Sequence, residues 1–132
     1  MDIRLGLQRT GPLDADRVRM AAERLGFRVF VLPTSGIGDR AGFFEAVRST
    51  LPLDPPLVGS SIWDALADSL WEGLLQCEAQ RIAIVWQGTA RMANADAAEF
   101  AMALDVLSDV ALSLANPQAT VGAVKEVAIL VE

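Results

Sequence analysis

Arg81-Ile82-Ala83-Ile84-Val85-Trp86-Gln87 holds five apolar residues in succession between polar ends. A strand with one wet face alternates apolar and polar residues; an unbroken run predicts a strand covered on both faces. Two further segments read as strands, residues 27–32, closed by Pro33, and residues 124–131. Helices are predicted between them. Asp39 starts one that carries Phe43, Phe44, Val47 and Leu51 and stops at Pro52. Ser61 starts a second, with Asp64 three residues on in a capping-box arrangement. A long helix is expected over about residues 94–115, with Asp96 and Glu99 at its start and Asn116-Pro117 at its end. Strands that alternate with helices imply parallel βαβ connections. The fold class is therefore α/β, a small parallel sheet of about three strands flanked by helices, with an N-terminal helical extension.

The extension is residues 1–26 and the main domain residues 27–132. Ile3, Leu5 and Leu7 alternate as in a short strand, which Gly11-Pro12 ends. Asp14 can cap a helix with Val18, Ala21, Ala22 and Leu25 on one face, and Gly26 stands just past its end, with Phe27 packing back. This segment is expected to be the least packed part of the chain. A length of 132 residues suits one domain.

Composition narrows the chemistry. Apolar residues make up 52% and charged residues 21%, a globular balance. The net charge is −6, from 11 basic and 17 acidic residues, and it is unevenly placed. Residues 1–28 hold six Arg and four acids; residues 29–132 hold five bases and thirteen acids. Between Ser49 and Gln80 there are five acids and no base. Such a surface repels nucleic acid and membrane phosphate and attracts a cationic partner. The chain has no His and no Tyr, which removes imidazole bases and His-ligated metals. The single Cys77 excludes an internal disulfide and a cysteine-rich zinc site, and suits a reducing cytoplasm. No apolar run approaches the roughly 20 residues that cross a bilayer, and the start Met1-Asp2-Ile3-Arg4 does not read as a signal peptide. Neither a metal nor a cofactor is expected.

On the helix after Ser61, Trp63, Leu66, Leu70 and Leu74 share one stripe, expected to pack on the sheet. Asp64, Asp68 and Glu72, spaced i, i+4, i+8, share another, and Trp71 lies on the border as an exposed ring. Like charges at this spacing cost about 0.2–0.5 kcal/mol per pair in an isolated helix. Asp64 can serve the helix start, but Asp68 lies beyond the first turn, where the dipole gives no help.

The stretch Leu53-Asp54-Pro55-Pro56-Leu57-Val58-Gly59-Ser60-Ser61-Ile62-Trp63-Asp64-Ala65-Leu66-Ala67-Asp68-Ser69-Leu70 resembles the signature of the barstar family, intracellular inhibitors of secreted ribonucleases. Trp63-Asp64-Ala65-Leu66 falls in register with it and Asp68 falls on its acid; the order of later elements is also similar, so the resemblance spans about residues 27–132. It implies a stoichiometric inhibitor, not an enzyme, whose partner is a cognate cationic ribonuclease or toxin domain in a bacterial toxin–antitoxin pairing. The family inserts this helix and the preceding loop into the ribonuclease active site. By that resemblance Asp68 is the main phosphate mimic and Asp64 the second contact. Asp109 is a further acidic contact, with Asp105 one turn before it. Glu72, Trp71 and the loop residues Leu57, Val58 and Gly59 complete the expected surface. Leu57 and Val58 stand where the family has aromatics, one extra residue separates Gly59 from Trp63, and Ala67 replaces another aromatic. These departures imply a partner shaped differently from barnase, or a member that has lost inhibition.

Two other readings stay open. The loop Thr34-Ser35-Gly36-Ile37-Gly38-Asp39-Arg40-Ala41-Gly42 follows a strand and can cradle the phosphate of a nucleotide, but its Gly-x-Gly-x-x-x-Gly spacing is one residue longer than the dinucleotide fingerprint. The alternative is a non-inhibitory interaction module, a dimer or scaffold built on Trp71 and the N-terminal helix; as an inhibitor the free chain is expected to be a monomer. Cys77 and Trp86 read as core residues.

Overall fold

The computed structural model describes residues 2–33 and 37–132. Strand β3 (Arg81–Trp86) lies at the centre, paired with β4 (Glu126–Val131) on one side and β2 (Arg28–Val31) on the other. Strand β1 (Gly6–Arg9) pairs beyond β4, so the order is β1-β4-β3-β2, with every pair parallel. Ile84 stands opposite Phe30 and Ile129. Side chains along a strand alternate between faces. Ile82, Ile84 and Trp86 therefore enter one core with Val127, Ile129 and Val131, and Ala83 and Val85 enter a second with Ala128 and Leu130. The unbroken apolar run is covered on both sides, as its sequence requires.

The described residues form a four-stranded sheet, not one of about three, because the short N-terminal strand read from the alternation of Ile3, Leu5 and Leu7 joins it. The added strand, β1, pairs Gly6 with Ala128 and Arg9 with Val131, partners more than a hundred residues away, which no local pattern reveals. Its position fixes the layers. From β1 the chain crosses the whole sheet to β2, then returns through β3 to β4. Right-handed crossovers that run in opposite directions put their helices on opposite faces. Accordingly α1 (Ala15–Arg24) packs in the second core. Helices α2 (Arg40–Thr50), α3 (Trp63–Leu75), α4 (Ala90–Ala95) and α5 (Ala97–Leu114) pack in the first. The N-terminal segment is therefore not loosely attached: Leu13, Val18 and Ala22 are buried.

Helix ends follow the chemistry of their caps. The Asp14 carboxylate accepts from the Asp16 and Arg17 N–H groups, at 3.1 and 3.2 Å. At the other end Gly26 has φ +85°, and the Gly26 and Phe27 N–H groups close on the Glu23 and Ala22 carbonyls. Asp39 caps α2 through the Gly42 N–H at 2.8 Å. The long helix expected over about residues 94–115 is α5, and the short α4 before it has no counterpart among the elements expected from the sequence. The chain breaks at Asp96, whose backbone is non-helical and whose side chain caps α5 through the Glu99 N–H. Among the described residues no helix is long and apolar enough to cross a membrane.

Candidate functional site

Helix α3 is seated by its apolar stripe. Trp63, Leu66, Leu70 and Leu74 are all buried in the larger core, where α3 runs beside α5. Phe43 of α2 lies 5.7 Å from Trp63 and 4.9 Å from Trp86, and Trp86 lies 5.4 Å from Phe100. Each aromatic contact adds about 0.5–1.5 kcal/mol beyond area burial. The chain of rings ties α2, α3, β3 and α5 together.

Two indole hydrogen bonds then set α3 against α5. Trp63 Nε1 donates to Glu99 Oε2 at 2.8 Å, and the same oxygen lies 3.5 Å from Arg40 Nε. Two turns on, Trp71 Nε1 donates to Ser113 Oγ at 3.0 Å. Trp71 is thus half-buried and held, not the free ring the sequence suggests. The capping box expected at Ser61 does not form: Ile62 is the N-cap, with no side-chain cap, and the Ser60 hydroxyl accepts from the Ile62 N–H at 3.4 Å.

The segment before α3 is fastened to it. The Asp54 N–H donates to the Ser69 carbonyl at 3.0 Å, and Gln76 Nε2 donates to Asp54 Oδ2 at 2.7 Å. A Cβ at Gly73 would lie 2.1 Å from the Pro52 carbonyl oxygen, so only glycine admits this approach. From α2, Arg48 donates to the Leu57 and Ser60 carbonyls, which fixes the 57–60 turn. Within it Leu57 turns into the core, Val58 is 91% exposed, and Gly59 takes φ +76°, a region that favours glycine.

The predicted acids separate into groups. Asp64 and Asp68 are exposed on α3, and Asp105 and Asp109 are exposed on α5. Glu72 is half-buried and accepts from Gln76 Nε2 at 3.0 Å. A groove of about 390 Å³ runs between α3 and α5, lined by Ala67, Asp68, Trp71, Asp109, Val110, Ser113 and Ala119. It brings Asp68, Trp71 and Asp109 together; Asp64, Glu72 and Asp105 lie outside its lining. Leu57 and Val58 border a separate groove of about 330 Å³ with Arg48 and Pro56, and Gly59 stands beside it in sequence. Val110, Ser113 and Ala119 have no signal in the sequence that would mark them; only the packing of α5 against α3 places them here.

Among the described residues, two carboxylates and no base line the larger groove. Carboxylates accept hydrogen bonds only, and apolar walls such as Val110 and Ala67 focus their field. The groove therefore suits a guanidinium or ammonium donor. Among the described residues no group of three or more Cys, Asp or Glu side chains is placed to hold a metal. Residues 34–36 of the glycine loop lie outside the described residues. Trp86 is fully buried, and Cys77 is half-buried against the core.

Residues 27–125 match the family model described as Barstar (barnase inhibitor). No curated protein and no solved structure matches the chain.

Proposed function

The match spans 99 of 132 residues, so the chain belongs to the barstar family, and from that premise we propose that it inhibits a ribonuclease by stoichiometric docking. Helix α3 enters the cationic active site, and its carboxylates take the places of RNA phosphates. The observation that carries this reading is the groove between α3 and α5, with Asp68 and Asp109 on its walls and no base among the described residues that line it. Asp68 is the principal phosphate mimic and Asp109 supports it from the second helix. Asp64 meets the base-recognition side, Asp105 and Glu72 add to the field, and Val58 and Gly59 present the loop edge. Arg and Lys donors on the enzyme form charge-assisted hydrogen bonds with these groups. The Trp63–Glu99 and Trp71–Ser113 bonds hold α3 in place before docking, which lowers the ordering cost of association. The chain acts without catalysis or cofactor, as the immunity partner of a ribonuclease toxin.

The test is a titration of purified barnase, and of each secreted ribonuclease of the organism that encodes the chain, with the purified protein. At least one enzyme is expected to lose activity at a one-to-one ratio. Asp68→Ala should weaken that complex by about 2 kcal/mol or more, roughly 30-fold, while changing fold stability by under about 1 kcal/mol. The association rate should fall steeply with added salt. Inhibition of none of these enzymes, or an unchanged affinity in Asp68→Ala, overturns the reading.

A further inference from the structure

We infer that the 117–122 turn is a third wall of the partner-binding surface and that Val121 is the apolar contact by which it selects a partner. The inference rests on the ribonuclease-inhibitor reading and extends it to residues outside α3. Val121 has φ +53°, in the left-handed region that β-branched residues seldom adopt. The residue is 92% exposed, so no burial within the chain offsets that conformation. A turn that had only to close would carry Gly, Asn or Asp at this position. The next residue is indeed a glycine, Gly122, at φ +85°.

The turn is also held firmly. Thr120 is buried, and its N–H and hydroxyl both donate to the Asn116 carbonyl, at 3.1 and 2.9 Å. The Gln118 N–H donates to Asn116 Oδ1 at 2.8 Å, and the Gly122 N–H to the Pro117 carbonyl at 2.8 Å. Ala119 of the same turn lines the groove that holds Asp68, Trp71 and Asp109. Val121 is therefore a stiff apolar group presented on the turn that borders the acidic groove. A β-branched side chain has little rotamer freedom to lose on docking. The chemistry it fits is an apolar patch beside the cationic centre of the ribonuclease. Charge brings the two proteins together, and the valine distinguishes an enzyme with that patch from one without it.

The experiment compares Val121→Asn and Val121→Ile with the wild type, using whichever of barnase and the organism's secreted ribonucleases the wild type inhibits. Asparagine accepts the left-handed backbone, so free Val121→Asn should melt a few degrees higher. Its complex should dissociate about tenfold faster, with the salt dependence of association unchanged. Val121→Ile should keep the affinity within about twofold. Val121→Asn binding as tightly as the wild type overturns this inference alone and leaves the inhibitor reading standing. A wild type that inhibits none of the enzymes overturns both.

Discussion

A methyl group added at Gly73 would lie 2.1 Å from the Pro52 carbonyl oxygen and 2.5 Å from its carbon, both main-chain atoms that cannot swing aside. In an exposed helix interior, glycine to alanine gains about 1 kcal/mol. Here the sign should reverse: Gly73→Ala should destabilise the fold by about 1–3 kcal/mol, as overpacking does, read from a urea transition. The same substitution should loosen the 52–54 segment and slow the approach of α3 to a partner. Glycine within an otherwise regular helical pattern hints at such a contact but cannot name its neighbour. Other single residues show the same boundary. Asp68 is conspicuous in the sequence because nothing near it relieves its charge, and it does line the groove. Leu57 and Val58 look alike in the sequence, yet one is buried and the other fully presented, because Arg48 fixes the turn from α2.

Helices carry their own requirements. The carbonyls that follow α3 are met by Lys125, the chain's only lysine, which is buried and donates from Nζ to Cys77 and Ala79, the latter at 2.8 Å. A cation at this end also opposes the negative pole of the helix. Lys125→Met keeps much of the volume and removes both bonds; it should lower stability by about 1–3 kcal/mol in denaturant titration, with α3 fraying first on hydrogen exchange. The stripes on α3 were legible because periodicity alone defines them. The groove was not, since it needs Asp109 and Ser113 from a helix forty residues on. Asp96 was legible as the start of α5, but the short α4 before it was not, and the non-helical backbone at Asp96 separates the two. Thr89, at the start of α4, gives no cap; its hydroxyl donates instead to the Glu132 carbonyl.

Across the whole molecule, the central strands could be read from their apolar runs and a short N-terminal strand from the alternation of Ile3, Leu5 and Leu7, but the place of β1 in the sheet could not, because its pairing with β4 joins distant parts of the chain. Glu132 strengthens that join. Its carboxylate accepts from the Leu13 N–H at 2.8 Å and the Gly88 N–H at 2.9 Å, linking the turn after β1 to the turn after β3. The Leu13 bond first, and then the Gly88 bond, hold the carboxyl below its ordinary 4.5. A lowered acid stabilises the fold fully above the unfolded value and loses that contribution as pH falls through the folded one. Glu132→Gln should therefore melt below the wild type at neutral pH, and the gap should close on acidification below 4.5, in paired melts across pH. A gap that widens with acid would rule this linkage out. The reversal of direction along the sheet has one more effect. It sets α1, where Arg17, Arg19 and Arg24 balance Asp14, Asp16 and Glu23, on the face opposite α3 and α5 with their acids. The acids of these two helices are therefore carried off-centre, on one side of the sheet, so a cationic body nearby exerts a torque as well as a pull and turns the acidic side toward itself before contact.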